Sequence, residues 1–305
     1  MIRLYWQVYK NLEHEFQSLA ETIFINDRQQ DVYSMRIADL LIRTAIEIEA
    51  LSKELYLLNG GDAEMPDGDM YFDTVCIKYL NDLWNLDAKV VIVVSPDIYF
   101  EEVSNRVFQP LHNAHKRGKC DWKMAYQDVK HNRMKKLDRG SVKHLLHGLA
   151  ALYVLNLYYK DEMILKLKES EKNSVDSSFG SNLFSVKIHE TQGLIVTGKY
   201  LKGPDLDECV YLQEYESETK QKAINAMVKF DEYLNKGSQA ELEKLAKEKM
   251  ARGEEITEAW LYQTRMEIVD QKGLLPIKDY KLSREYIDSM TSLLFNVVLN
   301  KNQYQ

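Results

Sequence analysis

The chain has 305 residues, a net charge of −7, and 45% hydrophobic and 29% charged side chains, which excludes a mainly disordered, collagen-like or disulfide-scaffold protein. At roughly 100 to 200 residues per domain, this is enough for two compact units, or for one large unit with an appendage. Apolar runs such as Val90–Val94 fall far short of the roughly 20 residues of a membrane helix, and three scattered cysteines, Cys76, Cys120 and Cys209, fit a reducing compartment better than a disulfide framework.

The N-terminal stretch carries charge at every turn and lacks a small-residue cleavage site, so no secretory signal is expected and the protein is read as cytoplasmic. Leu4, Val8, Leu12, Phe16 and Leu19 or Ala20 instead recur at helical spacing. A second helix is expected after Tyr33, with Ser34 as N-cap and the Gly60-Gly61 pair as its stop. Arg43/Glu47 and Glu49/Lys53 stand four apart on it and would stack along its side, while Glu49 with Lys53 would support a polar site should this helix pack against the basic one. Residues 60 to 69 read as a loop and Phe72 to Leu86 as helix, and the β-branched run before Pro96 reads as a short strand. Helices are then predicted over about Asp121 to Arg133 and from near Ser141 to about Lys168. The latter is apolar nearly all round, as a central bundle helix would be.

From Glu169 to Tyr215 a Ser/Asn/Gly linker leads into LFSVKIH, GLIVTGKYL and ECVYLQEY, which predict a small antiparallel meander. Beyond it, amphipathic helices are expected over about 218 to 235, 239 to 252, 257 to 271 and 283 to 300. The expected fold is therefore mainly α: a helical bundle over 1 to 168, a β connector over 169 to 216, and helices over 217 to 305. The charged faces of these last helices are solvated, or else offer a surface to a protein partner.

Charge placement narrows the chemistry. Between His112 and His147 ten Lys and Arg face three Asp, so this window carries +7 and leaves −14 on the rest; it also holds five of the seven histidines. At 100° per residue Trp122, Tyr126, Val129 and Arg133 share one side of their helix and His131 faces away from Trp122. An outward imidazole among Lys130, Arg133 and Lys135 has the ingredients for phosphate chemistry. On the next helix His144 and His147 share a stripe with Gly148 and Ala151, and Arg139 precedes His144 by five positions. Arg139 would clamp phosphate and His144 pass a proton, while the plainer reading of both sites is a surface histidine and a hydrogen-bonded core histidine. Lys123, Lys130, Lys135, Lys136 and Lys143 are the candidate nucleic-acid contacts. The His112/His115 and His144/His147 pairs, with Cys120, have ligand spacing for zinc, but a lysine-rich loop follows the first pair, and no metal or cofactor is expected. There is no Walker loop, no GxGxxG and no nucleophile elbow.

The helix with EIEALSKEL, the segment WKMAYQDVKHNR and the Arg139–His144 element opening a long apolar helix resemble the HEPN superfamily over roughly residues 1 to 168. In that superfamily an R-x4-6-H motif lines a cleft formed by dimerisation, and active members cleave RNA without metal. The resemblance implies a homodimer that binds RNA or another phosphate-bearing ligand. Arg139 and His144 map onto the motif; the alternative carry-over is Lys130, His131 and Arg133. Gly140 stands where members of the superfamily often place a polar residue. If active, the chain would be an endoribonuclease in a defence or toxin system. If not, it would be a helical interaction or nucleotide-sensing module whose basic patch holds a phosphate ligand or an acidic partner.

Overall fold

The structure, a computed structural model, describes residues 4–161, 164–168, 171, 174–190, 203–273 and 280–302. In chain order these form α1 (Leu4–Ala20), β1 (Ile25–Asn26), α2 (Met35–Leu58), a π-helical turn (Phe72–Ile77) running into α3 (Lys78–Trp84), β2 (Val91–Val93), β3 (Ile98–Tyr99), α4 (Val103–Arg106) and β4 (Val107–Phe108). There follow α5 (Asp121–Lys136), α6 (Val142–Lys160), β5 (Ile164–Lys168), β6 (Phe184–Val186), β7 (Ile188–His189), β8 (Tyr211–Tyr215), α7 (Ser217–Ala251), α8 (Glu258–Gln271), α9 (Tyr280–Thr291) and β9 (Leu294–Leu299). The fold is mainly α, a helical bundle with small β elements. No helix among the described residues is long and apolar enough to cross a membrane.

Local signals set the bundle helices. The Ser34 hydroxyl accepts a hydrogen bond from the Ile37 N–H at 3.1 Å, satisfying one of the orphan donors that open α2. The helix ends before Gly60, whose φ of +93° suits a residue without Cβ. Fifteen of the nineteen residues of α6 are buried, as an all-round apolar helix requires, and α1, α2 and α5 pack around it. Close approach of its leading turn to α2 depends on Gly140, where a Cβ would come within 2.6 Å of the Ala38 Cβ. The Arg43/Glu47 and Glu49/Lys53 pairs do not form. Arg43 instead makes two 2.7 Å bonds to Glu15 on α1, and Glu49 accepts from the Tyr126 hydroxyl on α5. Tertiary partners outcompete local i,i+4 pairs worth only a few tenths of a kcal/mol.

The strands depart from the predicted meander. The central α6 stops at Lys160, where Asp161 turns left-handed (φ 42°), and residues 164–168 are strand, not helix. β6 joins β2 and β4 in a three-stranded antiparallel sheet, whereas β7 pairs in parallel with β8. Residues 294–299, expected to be helical, form β9, which lies between β5 and β8. Alternate β9 residues Phe295, Val297 and Leu299 are buried, the period of two that defines a half-buried strand. The GLIVTGKYL segment is largely outside the described residues. The sheets thus join residues of the expected first, middle and last portions by backbone hydrogen bonds across both expected boundaries.

The two helices expected at 218 to 235 and 239 to 252 are one, α7. It continues through Gly237-Ser238, and the Ser238 hydroxyl is buried and bonded to the Leu234 carbonyl at 2.7 Å. Against it lie α8, through Arg265–Asp231 at 2.7 Å, and α9, through stacked Phe230 and Tyr286 rings 4.5 Å apart.

Candidate functional site

α5 starts after Cys120 and is anchored by Trp122, Ala125, Tyr126 and Val129, all buried; the Trp122 indole donates to the Pro110 carbonyl at 2.8 Å. Asn132 leaves helical geometry (φ −135°, ψ 37°), and the last turn departs at a kink. Beyond the anchors the surface is basic. Lys130, His131, Lys135 and Lys136 are exposed, and Met134 is 99% exposed. From Val129 to Leu137 the chain holds four cations and an imidazole and no carboxylate.

The predicted residues fall into separate environments. His131 faces solvent, as helical phase predicts. Arg133 does not follow the Trp122 stripe into the core but pairs with Asp39 at 2.8 Å near the surface, because the kink rotates it away. The Lys130 ammonium donates to the Tyr126 hydroxyl at 2.8 Å, which in turn donates to Glu49 at 3.0 Å. That bond raises the Lys130 pKa, and burial raises that of Tyr126. Lys143 is half-buried.

Lys123, expected among the nucleic-acid contacts, is not on that surface. It is 4% exposed, and its ammonium donates to Asp73 at 2.7 Å and to the carbonyls of Ala114 and Lys116 at 2.7 and 3.0 Å. All three of its donors are used inside the protein, so it is a structural cation and offers nothing to a phosphate.

Arg139 and His144 do meet, and they meet on a carboxylate. Arg139 Nη2 lies 2.7 Å from one Asp121 oxygen, and His144 Nε2 lies 3.1 Å from the other. Arg139 Nε also lies 3.4 Å from Asp128, and His144 Nδ1 is 2.9 Å from the Ser141 hydroxyl. Burial lowers the His144 pKa, an effect that Asp121 opposes in part, which favours the neutral ring. Burial would raise the Asp121 carboxyl, but Arg139 and His144 outweigh it and hold it below the ordinary aspartate value. In a neutral ring one nitrogen donates and the other accepts, which this Ser141–His144–Asp121 chain satisfies completely. The connectivity is that of an acyl-transfer triad, yet Ser141 is 1% exposed, and no substrate carbonyl reaches its oxygen.

His147 stacks on Phe108 with ring centroids 4.0 Å apart. Burial, with Lys143 nearby, pushes its imidazole down to about 4, below the 6.5 of an ordinary histidine. The unfolded chain therefore takes up this proton first. The stabilisation is full above pH 6.5 and is lost as pH falls toward 4, and His144 acts in the same direction. The urea midpoint of the native protein is expected to fall between about pH 7 and about pH 5, the range in which a histidine with ordinary pKa begins to charge. It should fall less in His147→Phe, which keeps the stacking and removes the titration. An equal fall in both proteins would refute the assignment.

Two further features lie beyond the predicted site residues. A cleft of about 1010 Å³ opens beside α5, lined among others by Glu49, Lys53, Asp73, Arg117, Lys123 and Asp128. Glu49 and Lys53 stand where a polar site is expected if α2 packs against the basic helix, and α2 does pack against α5; the remaining lining residues come from three further segments that no spacing announces. Separately, His189, Asp205 and Cys209 converge near the start of β8, with donor atoms within 4.8 Å of one another. Among the described residues no comparable group of three gathers around the His112/His115 or His144/His147 pairs. His115 lies 3.2 Å from Asp87, and Cys120 is a free, buried thiol.

No family model matches this chain, and no curated protein or solved structure matches it.

Proposed function

We propose that this chain is a HEPN-like, cytoplasmic RNA-binding protein that grips the phosphate backbone with the basic end of α5. The observation that supports this reading is the run from Val129 to Leu137: four cations without a carboxylate, three of them exposed, with Lys135 and Lys136 beyond the kink at Asn132. Exposed Met134 adds an apolar surface on which a base can rest. Binding is favoured over cleavage because both ring nitrogens of His144 and the guanidinium of Arg139 are engaged by Ser141, Asp121 and Asp128. In this reading the protein is a homodimer, and α7 to α9 offer a surface to a protein partner.

The test is anisotropy with labelled single-stranded RNA over a salt series. Each phosphate contact on a single strand contributes about 0.7 to the slope of log K against log salt. Lys135→Glu with Lys136→Glu is expected to lower the slope by about 1.4, or about 0.7 per lost contact. Lys244→Glu on α7 makes the same kind of charge change away from α5 and should leave binding intact. Native protein that binds without salt dependence, or a double variant that binds as native, overturns the proposal.

A second reading, metal-independent cleavage, rests on one observation: Arg139 and His144 converge on a half-exposed carboxylate, whose place a phosphate would have to take. There His144 would draw the proton from a ribose 2′-hydroxyl, whose oxygen attacks the adjacent phosphate while Arg139 stabilises the developing charge. The same RNA, incubated in EDTA with native protein and with His144→Ala and His131→Ala, yields a 2′,3′-cyclic phosphate end only if this reading holds.

A further inference from the structure

β7 ends at His189, and among the described residues a 3-10 turn, Leu206–Glu208, leads into β8, which pairs in parallel with β7. Asp205 and Cys209 flank that turn. The His189 Nδ1 lies 2.9 Å from Asp205 Oδ1, and Cys209 Sγ lies 3.5 Å from Asp205 Oδ2. His189 and Cys209 are buried, whereas Asp205 retains 45% of its side-chain exposure and leaves a path from solvent.

The turn is held rigidly. The Asn300 amide donates to the carbonyls of Leu206 and Cys209 at 2.7 and 3.0 Å, the Lys89 ammonium donates to that of Asp207 at 3.0 Å, and the Val90 N–H to that of Glu208 at 3.0 Å. The backbone also closes tightly over the cluster at Gly203, where a Cβ would stand 2.8 Å from His189 Cε1 and 3.0 Å from Asp205 Oδ1. Such fixed partners keep the three donor groups converged.

We propose that His189, Asp205 and Cys209 bind one divalent transition-metal ion, zinc by preference, which ties the β7–β8 crossover together. An imidazole, a carboxylate and a thiolate suit zinc, whereas calcium and magnesium take oxygen ligands. Zinc bonds of about 2.0 Å to N or O and 2.3 Å to S in a tetrahedron place ligand atoms about 3.3 to 3.5 Å apart. The separations to the two Asp205 oxygens, 2.9 and 3.5 Å, bracket those values, and with all three ligand atoms within 4.8 Å of one another the closure required is at most about 1.5 Å. Local charge is compatible: among the described residues Asp205, Asp207 and Glu208 stand against Lys89 and Lys187, so there carboxylates outnumber ammonium groups before the thiol is counted. On binding, the Cys209 S–H bond breaks, its proton passes to water and the sulfur lone pair forms the bond to the ion. Three protein ligands leave the fourth position to water.

The experiment is a cobalt(II) titration of the full-length protein after EDTA dialysis, followed by absorbance. The expected result is one equivalent of cobalt giving intense tetrahedral d–d bands and a thiolate-to-cobalt charge-transfer band, both abolished by stoichiometric zinc. Asp205→Asn and Cys209→Ser are each expected to weaken binding by at least about 100-fold, the upper range seen when even an outer partner of a ligand is removed. Cys76→Ser and Cys120→Ser should leave the spectrum unchanged. Asp205→Asn, at a half-exposed position, keeps the test valid should Cys209→Ser fail to fold. Absence of the charge-transfer band in folded native protein, or a band that Asp205→Asn retains at native affinity, overturns the site.

Discussion

Glu13→Ala is expected to destabilise the protein by about 3 to 5 kcal/mol, the range for breaking a buried, hydrogen-bonded charge. Glu13 is 0% exposed on α1, and its Oε1 accepts from the Tyr9 hydroxyl at 2.9 Å, the Ser181 hydroxyl at 2.5 Å and the backbone N–H groups of Asn182 and Leu183 at 2.8 and 3.2 Å. Its second oxygen pairs with Lys10, whose ammonium also reaches the Gly180 carbonyl. One carboxylate therefore pins the segment that opens β6, and with it the three-stranded sheet, to the first helix of the bundle. Alanine removes the side-chain acceptor of the Asn182 N–H and leaves the Leu183 N–H only the Ser181 hydroxyl, and a buried donor left unmet costs about 1 to 3 kcal/mol. Glu13→Gln keeps one acceptor oxygen and should lose less. Urea unfolding measures both, and a Glu13→Ala midpoint within about 0.5 kcal/mol of native, the ordinary scatter of surface changes, contradicts the role assigned to this carboxylate.

Features set by neighbours in sequence were legible, and features set by distant partners were not. Ser34 as a cap, Gly60 as a stop and the buried circumference of α6 all follow from residues within one or two turns. β9 was not legible because LLFNVVL is a short, nearly continuous apolar run. Its period of two is visible only once β5 and β8, more than 70 residues away in sequence, define its inner face. The end of α6 was hidden for a related reason: the residues after Asp161 are apolar and helix-compatible, and β9 claims them.

The same division runs through the candidate site. Helical phase placed His131 outward correctly, since solvent needs no partner. Charge alone placed Lys123 on the nucleic-acid face and ignored its phase, three residues before Tyr126 and on the buried side. The R-x4-H spacing identified two side chains that meet, but Asp121 and Asp128, which occupy them, were counted only as offsets in a charge balance. Likewise Asp205 and Cys209 stand four apart, within ligand spacing, but His189, the third member of the group, lies 16 residues before Asp205 and joins them only through the pairing of β7 with β8.

Lys123→Ala is the sharper discriminator of the two roles a lysine in this window can have. A phosphate contact would be silent in stability and would lower the salt slope of RNA binding by about 0.7. A structural cation does the reverse. Removing the ammonium leaves the Asp73 carboxylate and the carbonyls of Ala114 and Lys116 without their donor, so the expected loss is about 3 to 5 kcal/mol with the slope unchanged. Because Asp73 and Lys123 both line the cleft beside α5, the loop from Ala114 to Lys116 and the π-helical turn would separate there first. A double-mutant cycle makes the argument quantitative. Lys123→Met with Asp73→Asn removes both charges, and coupling of about 1 to 3 kcal/mol between the two changes is expected for residues in one buried network. Additive single effects, or a Lys123→Ala protein as stable as native with a reduced salt slope, would return this lysine to the surface and reopen the cleft as part of the RNA path.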